Sequence, residues 1–207
     1  MFRYGFLVIY VVVSLLKNVR HLYDHELTDP RISYPKRMQL IYQHAKSFAR
    51  GCIDQSGSVI TIYQQKHLPE GPVIYVHDQL DAVNMVLLVG HLEKPTAFFA
   101  KPRLFRIPIL RQWLKKMQVI KQNQSDVQLF NEAEERLLSG QSLLLSKEDP
   151  ICTIALAEKT QCPIVPVRTV GTERLMRGKV FKRLHPVDVD MTIEAPYMIS
   201  DQVKKRA

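Results

Sequence analysis

The sequence predicts an α/β sandwich built around a largely parallel sheet. Short apolar, β-branched runs near 58–64, 71–76, 96–100, 119–120, 142–145, 164–169 and 187–193 alternate with stretches of helical periodicity. That alternation is how a chain lays helices over a parallel sheet. The size agrees, since 207 residues suit one hydrophobic core. With an apolar share of 46% and only 8 glycines and 12 prolines, the composition leaves no room for a long disordered tract.

In chain order, the first element is an uncharged apolar run at 4–16 (YGFLVIYVVVSLL), shorter than the ~20 residues that span a bilayer. Arg3 precedes it and Lys17 and Arg20 follow. Such a helix suits shallow insertion, with basic side chains reaching anionic headgroups. A buried core helix is the alternative. No small-residue cleavage site follows the run, so removal as a signal peptide is not expected. TDPRISYP at 28–35 carries two prolines and reads as a linker. Residues 37–50 place Met38, Ile41, Tyr42, Ala45 and Phe48 or Ala49 at helical spacing. The expected organisation is a hydrophobic membrane-associated helix at 1–27, a linker and amphipathic helix at 28–50, and the α/β domain at 51–207.

Within that domain, SVITIYQ (58–64) and GPVIYV (71–76) read as strands joined by a turn, 81–91 as an apolar helix, and TAFFA (96–100) as a buried strand. A short helix is expected at 110–117 and a short strand at 119–120. A helix follows at 125–138, with Asp126 near its start and Gly140 just past its end. Residues 142–145 extend again, 151–159 read as helix, 164–169 as a proline-punctuated strand, and 187–193 as a late strand.

The net charge of +9 and pI near 9.5 imply an anionic partner, either nucleic acid or an acidic membrane surface. The apolar N-terminal run favours the membrane, and the basic residues show no zinc or aromatic pattern for nucleic acid. Cys52, Cys152 and Cys162 are odd in number and lack C-x-x-C spacing, so they read as buried thiols in a reducing compartment.

The most informative stretch is PEGPVIYVHDQLD (69–81), where an apolar strand delivers His77 onto a loop with acidic residues just beyond. A histidine held by Asp81 or Asp78 is a competent general base near neutral pH. The carboxylate fixes its tautomer and stabilises the imidazolium. Taken alone, a histidine ending a strand is more often a structural hydrogen-bonding residue.

Downstream come FFAKPRLFRIPILRQWLKKMQVI (98–120), a helix, LLLSKEDP (143–150) and CPIVPV (162–167). In this order the chain resembles the lysophosphatidic acid acyltransferase family over about half its length. That family has an N-terminal hydrophobic helical portion, then an α/β domain with a strand leading into an N-H-x-x-x-x-D motif. The resemblance places His77 at the motif histidine, and matches Phe98, Ala100, Lys101, Leu104, Ile107 and Pro108 to the segment that follows.

The sequence departs from the family at three places. His77 and Asp81 are four apart where the family has five, and Val76 stands for the motif asparagine. Gln122 stands where the family's arginine helps bind phosphate, leaving Lys121 as the nearest cation, a point charge rather than a bidentate fork. The family's F-P-E-G-T-R block is represented only by residues 145–149 (LSKED), with Glu148 at the glutamate.

The resemblance implies transfer of a fatty acyl group from acyl-CoA or acyl carrier protein to a lysophospholipid hydroxyl. His77 and Asp81 are the implied catalytic pair, with Lys101, Lys121, Lys147 and Glu148 around the acceptor and no metal or bound cofactor. It implies action at the cytoplasmic face of the cell membrane, as a peripheral or monotopic protein. The altered blocks motivate an alternative, a relative of the same fold that binds lipid or a partner enzyme without turnover. The mixed basic and apolar block at 104–114 suits a membrane interface, with Trp113 either at the headgroup level or packed in the core.

Overall fold

The computed structural model describes residues 2–22, 31–64, 66–177, 183–184 and 186–199. The expected linker at 28–30, the side chains of Arg3 and Arg20, and the last stretch of the α/β domain at 200–207 lie outside the described residues. The helices are α1 (Phe2–Leu22), α2 (Tyr34–Ser56), α3 (Ala82–His91), α4 (Pro108–Lys116), α5 (Asp126–Leu138), α6 (Thr153–Thr160) and the short α7 (Thr172–Leu175). The strands are β1 (Val59–Gln64), β2 (Ile74–His77), β3 (Thr96–Ala100), β4 (Ile120–Lys121), β5 (Ser142–Ser146), β6 (Ile164–Val170), β7 (Met176–Arg177), β8 (Arg183–Leu184) and β9 (Asp188–Ile193). The main sheet has seven strands in the order β1-β9-β6-β2-β5-β3-β4, and the pairings among β2 to β6 are parallel. The expected α/β class built on a largely parallel sheet is therefore the observed one.

The chain divides into two compact units. The first comprises residues 1–63, 80–93 and 169–192. In it α1 packs on α2, with the rings of Tyr10 and Phe48 stacked at a centroid distance of 6.4 Å. Gly51 makes this packing possible, because a Cβ there would lie 1.7 Å from the Tyr10 hydroxyl. Helix α2 packs on α3, and Arg50 Nε donates to the Gly90 carbonyl at 2.7 Å. The expected boundary at 50/51 falls inside α2, which runs on to Ser56 and ends at Gly57 in the left-handed conformation (φ 73°).

The outward face of α1 is apolar. Phe6, Ile9, Val13 and Leu16 recur at three- and four-residue spacing, flanked by Val8 and Val12, and all are exposed, Phe6 to 60%. No helix among the described residues is long and apolar enough to cross a membrane.

The second unit comprises residues 64–79, 94–168 and 193–207 and holds β2, β3, β4 and β5 together with most of β6. Strands β3 and β5 are buried along their whole length, as parallel strands covered on both faces must be. One face of this sheet packs Ile74, Ala97, Phe99, Leu143, Leu145 and Ile164 against Leu129, Ala133 and Leu137 of α5 and Leu156 and Ala157 of α6. Helix α5 begins at a capping box, with Ser125 and Gln128 bonding each other's backbone N–H.

The structure decides between the two readings of Trp113 and corrects the expectation of three buried thiols. Trp113 is 7% exposed, packed within α4 rather than presented at a surface, because its helix buries the face that carries Trp113 and Leu114. Of the three thiols only Cys162 is buried, whereas Cys52 is half-buried and Cys152 exposed. Cys152 occupies the N-cap of α6, where the chain enters the helix. Burial pushes the Cys52 thiol up to about 11, so it is protonated at neutral pH.

Candidate active site

Parallel strands deliver their C-terminal ends to one edge of a sheet, which is where open α/β folds place ligands. In the second unit β2 ends at His77, β3 at Ala100 next to Lys101, β4 at Lys121 next to Gln122, and β5 at Ser146 next to Lys147 and Glu148. The sheet thus gathers His77, Lys101, Lys121, Lys147 and Glu148 along a single edge, although they come from sequence positions far apart. The register is direct: His77 pairs with Ser146 on one side and Val167 on the other. Residues in register share a face. Since Ile74 and Leu143 face the α5–α6 core, His77 and Ser146 lie side by side on the opposite face.

His77 is the last residue of β2 rather than a loop residue, and it is 5% exposed. Its Nδ1 lies 2.8 Å from the carbonyl oxygen of Gln79 and 3.2 Å from the Gln79 backbone nitrogen. A carbonyl oxygen only accepts, so the shorter contact is a hydrogen bond when Nδ1 carries the proton, and it opposes the longer one, in which the Gln79 N–H donates to Nδ1; the closer approach favours the proton on Nδ1. In the neutral ring the lone pair then sits on Nε2. Sequence reading looked for a carboxylate partner on Nδ1 and missed Gln79, because a main-chain carbonyl leaves no side-chain signature.

Asp81 lies in the first unit, as the N-cap of α3. Its Oδ1 accepts from the Asn84 backbone N–H at 2.8 Å. The Asn84 carboxamide oxygen in turn accepts from the Thr169 hydroxyl at 2.9 Å.

Asp78, the other acidic candidate, is ion-paired with Lys147 at 2.5 Å on an exposed surface. The hydrogen bond from Lys147 holds the Asp78 carboxyl below the ordinary carboxylate range. Lys147 also donates its backbone N–H to the His77 carbonyl at 3.2 Å, which fixes the start of the loop after β5 against the end of β2.

That loop is closed by a residue to which the sequence drew no attention. Asp149 Oδ2 accepts from the Ser146 backbone N–H at 2.7 Å, and its Oδ1 accepts from Gln122 Nε2 at 3.1 Å. Gln122, uncharged where the resembled family carries an arginine, therefore ties the loop after β4 to the loop after β5. Burial pushes the Asp149 carboxyl above its ordinary value, against the opposing bonds from Ser146 and Gln122. Ser146 Oγ accepts from the Glu148 backbone N–H at 3.2 Å. The only hint in the sequence was Ser146 three residues before Asp149, a spacing common to many turns.

Among the described residues no cluster of histidine, cysteine or carboxylate groups is placed to hold a metal ion. The arrangement is one buried imidazole bonded to Gln79 through Nδ1, lysines beside the ends of three neighbouring strands and a loop closed by internal bonds.

No family profile matches the sequence, and no curated protein matches it either. The fold does find a counterpart. The chain is similar to the crystal structure of the 1-acyl-sn-glycerophosphate (LPA) acyltransferase PlsC from Thermotoga maritima, with a TM-score of 0.77 over 97% of this chain and 90% of that one. The two sequences are 18% identical, so the likeness is one of architecture. The chain has the α/β fold of that acyltransferase, with a mostly parallel seven-stranded sheet.

Proposed function

We propose that the protein transfers a fatty acyl group from a thioester, acyl-CoA or acyl carrier protein, to the hydroxyl of a lysophospholipid in phospholipid synthesis. The observation that carries this reading is the Nδ1 contact with Gln79, which leaves the Nε2 lone pair of a buried histidine at the C-terminal end of a central parallel strand. The fold likeness to an LPA acyltransferase supports the same chemistry.

In this reading His77 Nε2 takes the proton of the acceptor hydroxyl as its oxygen attacks the thioester carbonyl. The tetrahedral intermediate collapses, the carbon–sulfur bond breaks, and the imidazolium returns its proton to the departing thiolate. The products are an ester and a free thiol. The Gln79 carbonyl steadies the imidazolium through Nδ1–H, and Asp81 anchors the helix that begins just after the histidine loop. Lys101, Lys121 and Lys147 supply positive charge for an acceptor phosphate, and Glu148 borders them on the loop after β5. The exposed apolar face of α1 and the neighbouring Lys17 support peripheral contact with an anionic lipid surface, at the cytoplasmic face of the cell membrane.

The test is transfer from radiolabelled acyl-CoA and acyl carrier protein to a panel of lysophospholipids, with wild-type protein beside His77→Ala. Loss of transfer in the variant is the expected result. Wild-type rates in the variant would remove His77 from the mechanism. Sedimentation with vesicles containing phosphatidic acid, for wild type and for Phe6→Ser with Ile9→Ser, tests the lipid contact separately.

A second reading has its own support. Lys147, which faces the acceptor in the first reading, is paired with Asp78, and Gln122, which stands where the resembled family carries its phosphate-binding arginine, is bonded to Asp149, so both already have internal partners. A lipid-binding relative without turnover would show vesicle binding in both wild type and His77→Ala, and transfer in neither.

A further inference from the structure

The first unit contains an open groove of about 620 Å³ along α2, and α1 contributes Tyr10 to its wall. Its lining includes Lys46 and Arg50, one helical turn apart, with Gln43, Ser47 and Asp54 beside them. We propose that this groove binds a phosphate-bearing anion, with the two cations as its ligands and the polar side chains of Gln43 and Ser47 as further donors.

Three features argue for a built site. Arg50 is held in place, because its Nε is bonded to the Gly90 carbonyl. Lys46 is likewise positioned, with its ammonium 5.8 Å from the centre of the Tyr42 ring. The wall itself depends on Gly51, whose missing Cβ makes the space that the Tyr10 hydroxyl fills. A glycine inside a helix weakens it relative to alanine, so the packing of Tyr10 into the groove stands against helix propensity.

The electrostatics agree with the geometry. Burial lowers the Lys46 pKa, Arg50 lowers it further, and the opposing pull of Glu93 is the smallest influence. His91 is lowered chiefly by burial, then by Arg50 and Lys46, with the Leu87 carbonyl and Asp54 pulling the other way. At both places the cations outweigh the nearby carboxylates. A bound anion relieves the repulsion between Lys46 and Arg50, and a phosphate offers several acceptor oxygens to them at once.

The same helix that contributes Tyr10 exposes Phe6, Ile9 and Val13 on its outer face. A ligand with a phosphate head and an apolar tail therefore matches both surfaces of α1. This adds a defined headgroup site to the lipid-contact reading above and does not depend on acyl transfer.

The experiment is calorimetric titration of the full chain with monomeric dihexanoyl phosphatidic acid and with inorganic phosphate, for wild type, Lys46→Gln and Lys46→Arg. Removing one charge-assisted bond at a half-exposed site is expected to weaken phosphatidic acid binding about tenfold in Lys46→Gln, while Lys46→Arg stays near wild type. Inorganic phosphate binding that is weaker than the lipid but equally sensitive to Lys46→Gln identifies a headgroup site. Equal affinity for both identifies a phosphate site without a tail, and still confirms the anion site. No binding by wild type, or equal binding by wild type and Lys46→Gln, overturns the proposal. The lipid-contact reading fails separately, if vesicles containing phosphatidic acid do not sediment the wild-type protein.

Discussion

The carbonyl oxygen of Gln79 lies 2.8 Å from Nδ1 of His77, two residues back along the chain. A strand that ends at His77 and turns at once brings this carbonyl under its own imidazole. The preference for a proton on Nδ1 follows from the local path of the backbone, through this shorter of the two Gln79 contacts. Nitrogen NMR of selectively labelled protein should accordingly show neutral His77 with a pyrrole-type Nδ1 and a pyridine-type Nε2. The opposite pattern would mean that the Gln79 N–H, 3.2 Å away, is the dominant partner, and it would leave His77 without a basic Nε2.

Asp81 caps α3, and its replacement should behave as a capping change. Asparagine accepts from the Asn84 N–H nearly as well as aspartate, whereas alanine cannot. Asp81→Ala should lose about 1 kcal/mol of stability in urea denaturation, and Asp81→Asn a few tenths, from the lost attraction of its charge to the helix N-terminus. Equal losses in the two variants would show that charge matters here and hydrogen bonding does not.

The strand and helix order was legible because the second unit is built from short, strongly apolar runs. The expected strand at 96–100 matches Thr96–Ala100, and the expected helix at 125–138 matches Asp126–Leu138 with Ser125 as its cap. Periodicity encodes burial, and burial decides these elements. The candidate edge was legible only as separate residues. Nothing in the sequence places Lys121 beside Lys101 or His77 beside Ser146, because register is set by the whole sheet. Trp113 shows the same limit: a block of mixed basic and apolar residues fits an interface and a helix with one buried face equally well, and only packing separates them. Gln79 and Asp149 escaped notice for a different reason, since each acts through a short-range contact with backbone whose residue type many turns share.

Gly51 and Tyr10 form a size-complementary pair, so their substitutions should couple. A Cβ at Gly51 meets the Tyr10 ring, with the nearest ring carbon at 2.3 Å, and forces it out of its stack on Phe48. Gly51→Ala should therefore destabilise the wild type by about 1–2 kcal/mol, overpacking outweighing the gain in helix propensity. In a Tyr10→Ala background the clash is gone, and the same substitution should stabilise by about 0.5–1 kcal/mol. A double-mutant cycle measured by thermal denaturation reads the difference. An additive cycle would mean that Tyr10 does not occupy this position in solution.

The loop after β5 should carry a distinctive dependence on pH. Burial raises the Asp149 pKa in the folded protein above its unfolded value of about 3.9. The folded state then binds more protons than the unfolded state across the interval between those two values, and stability from this group falls as pH rises through it. The contribution is complete below the unfolded pKa and is lost above the folded one. Asparagine at this position does not titrate, so comparison with Asp149→Asn isolates the effect. The stability of wild type relative to Asp149→Asn should increase as pH is lowered from 7 to 4 in urea titrations. Asp78 works in the opposite direction, because its pKa is depressed by Lys147 and its pairing is lost on acidification. Its exposure keeps that influence small, and it is common to both proteins, so it cancels in the difference. A stability difference that stays flat, or that favours wild type more at pH 7 than at pH 4, would show that the bonds from Ser146 and Gln122 outweigh burial and hold Asp149 ionised.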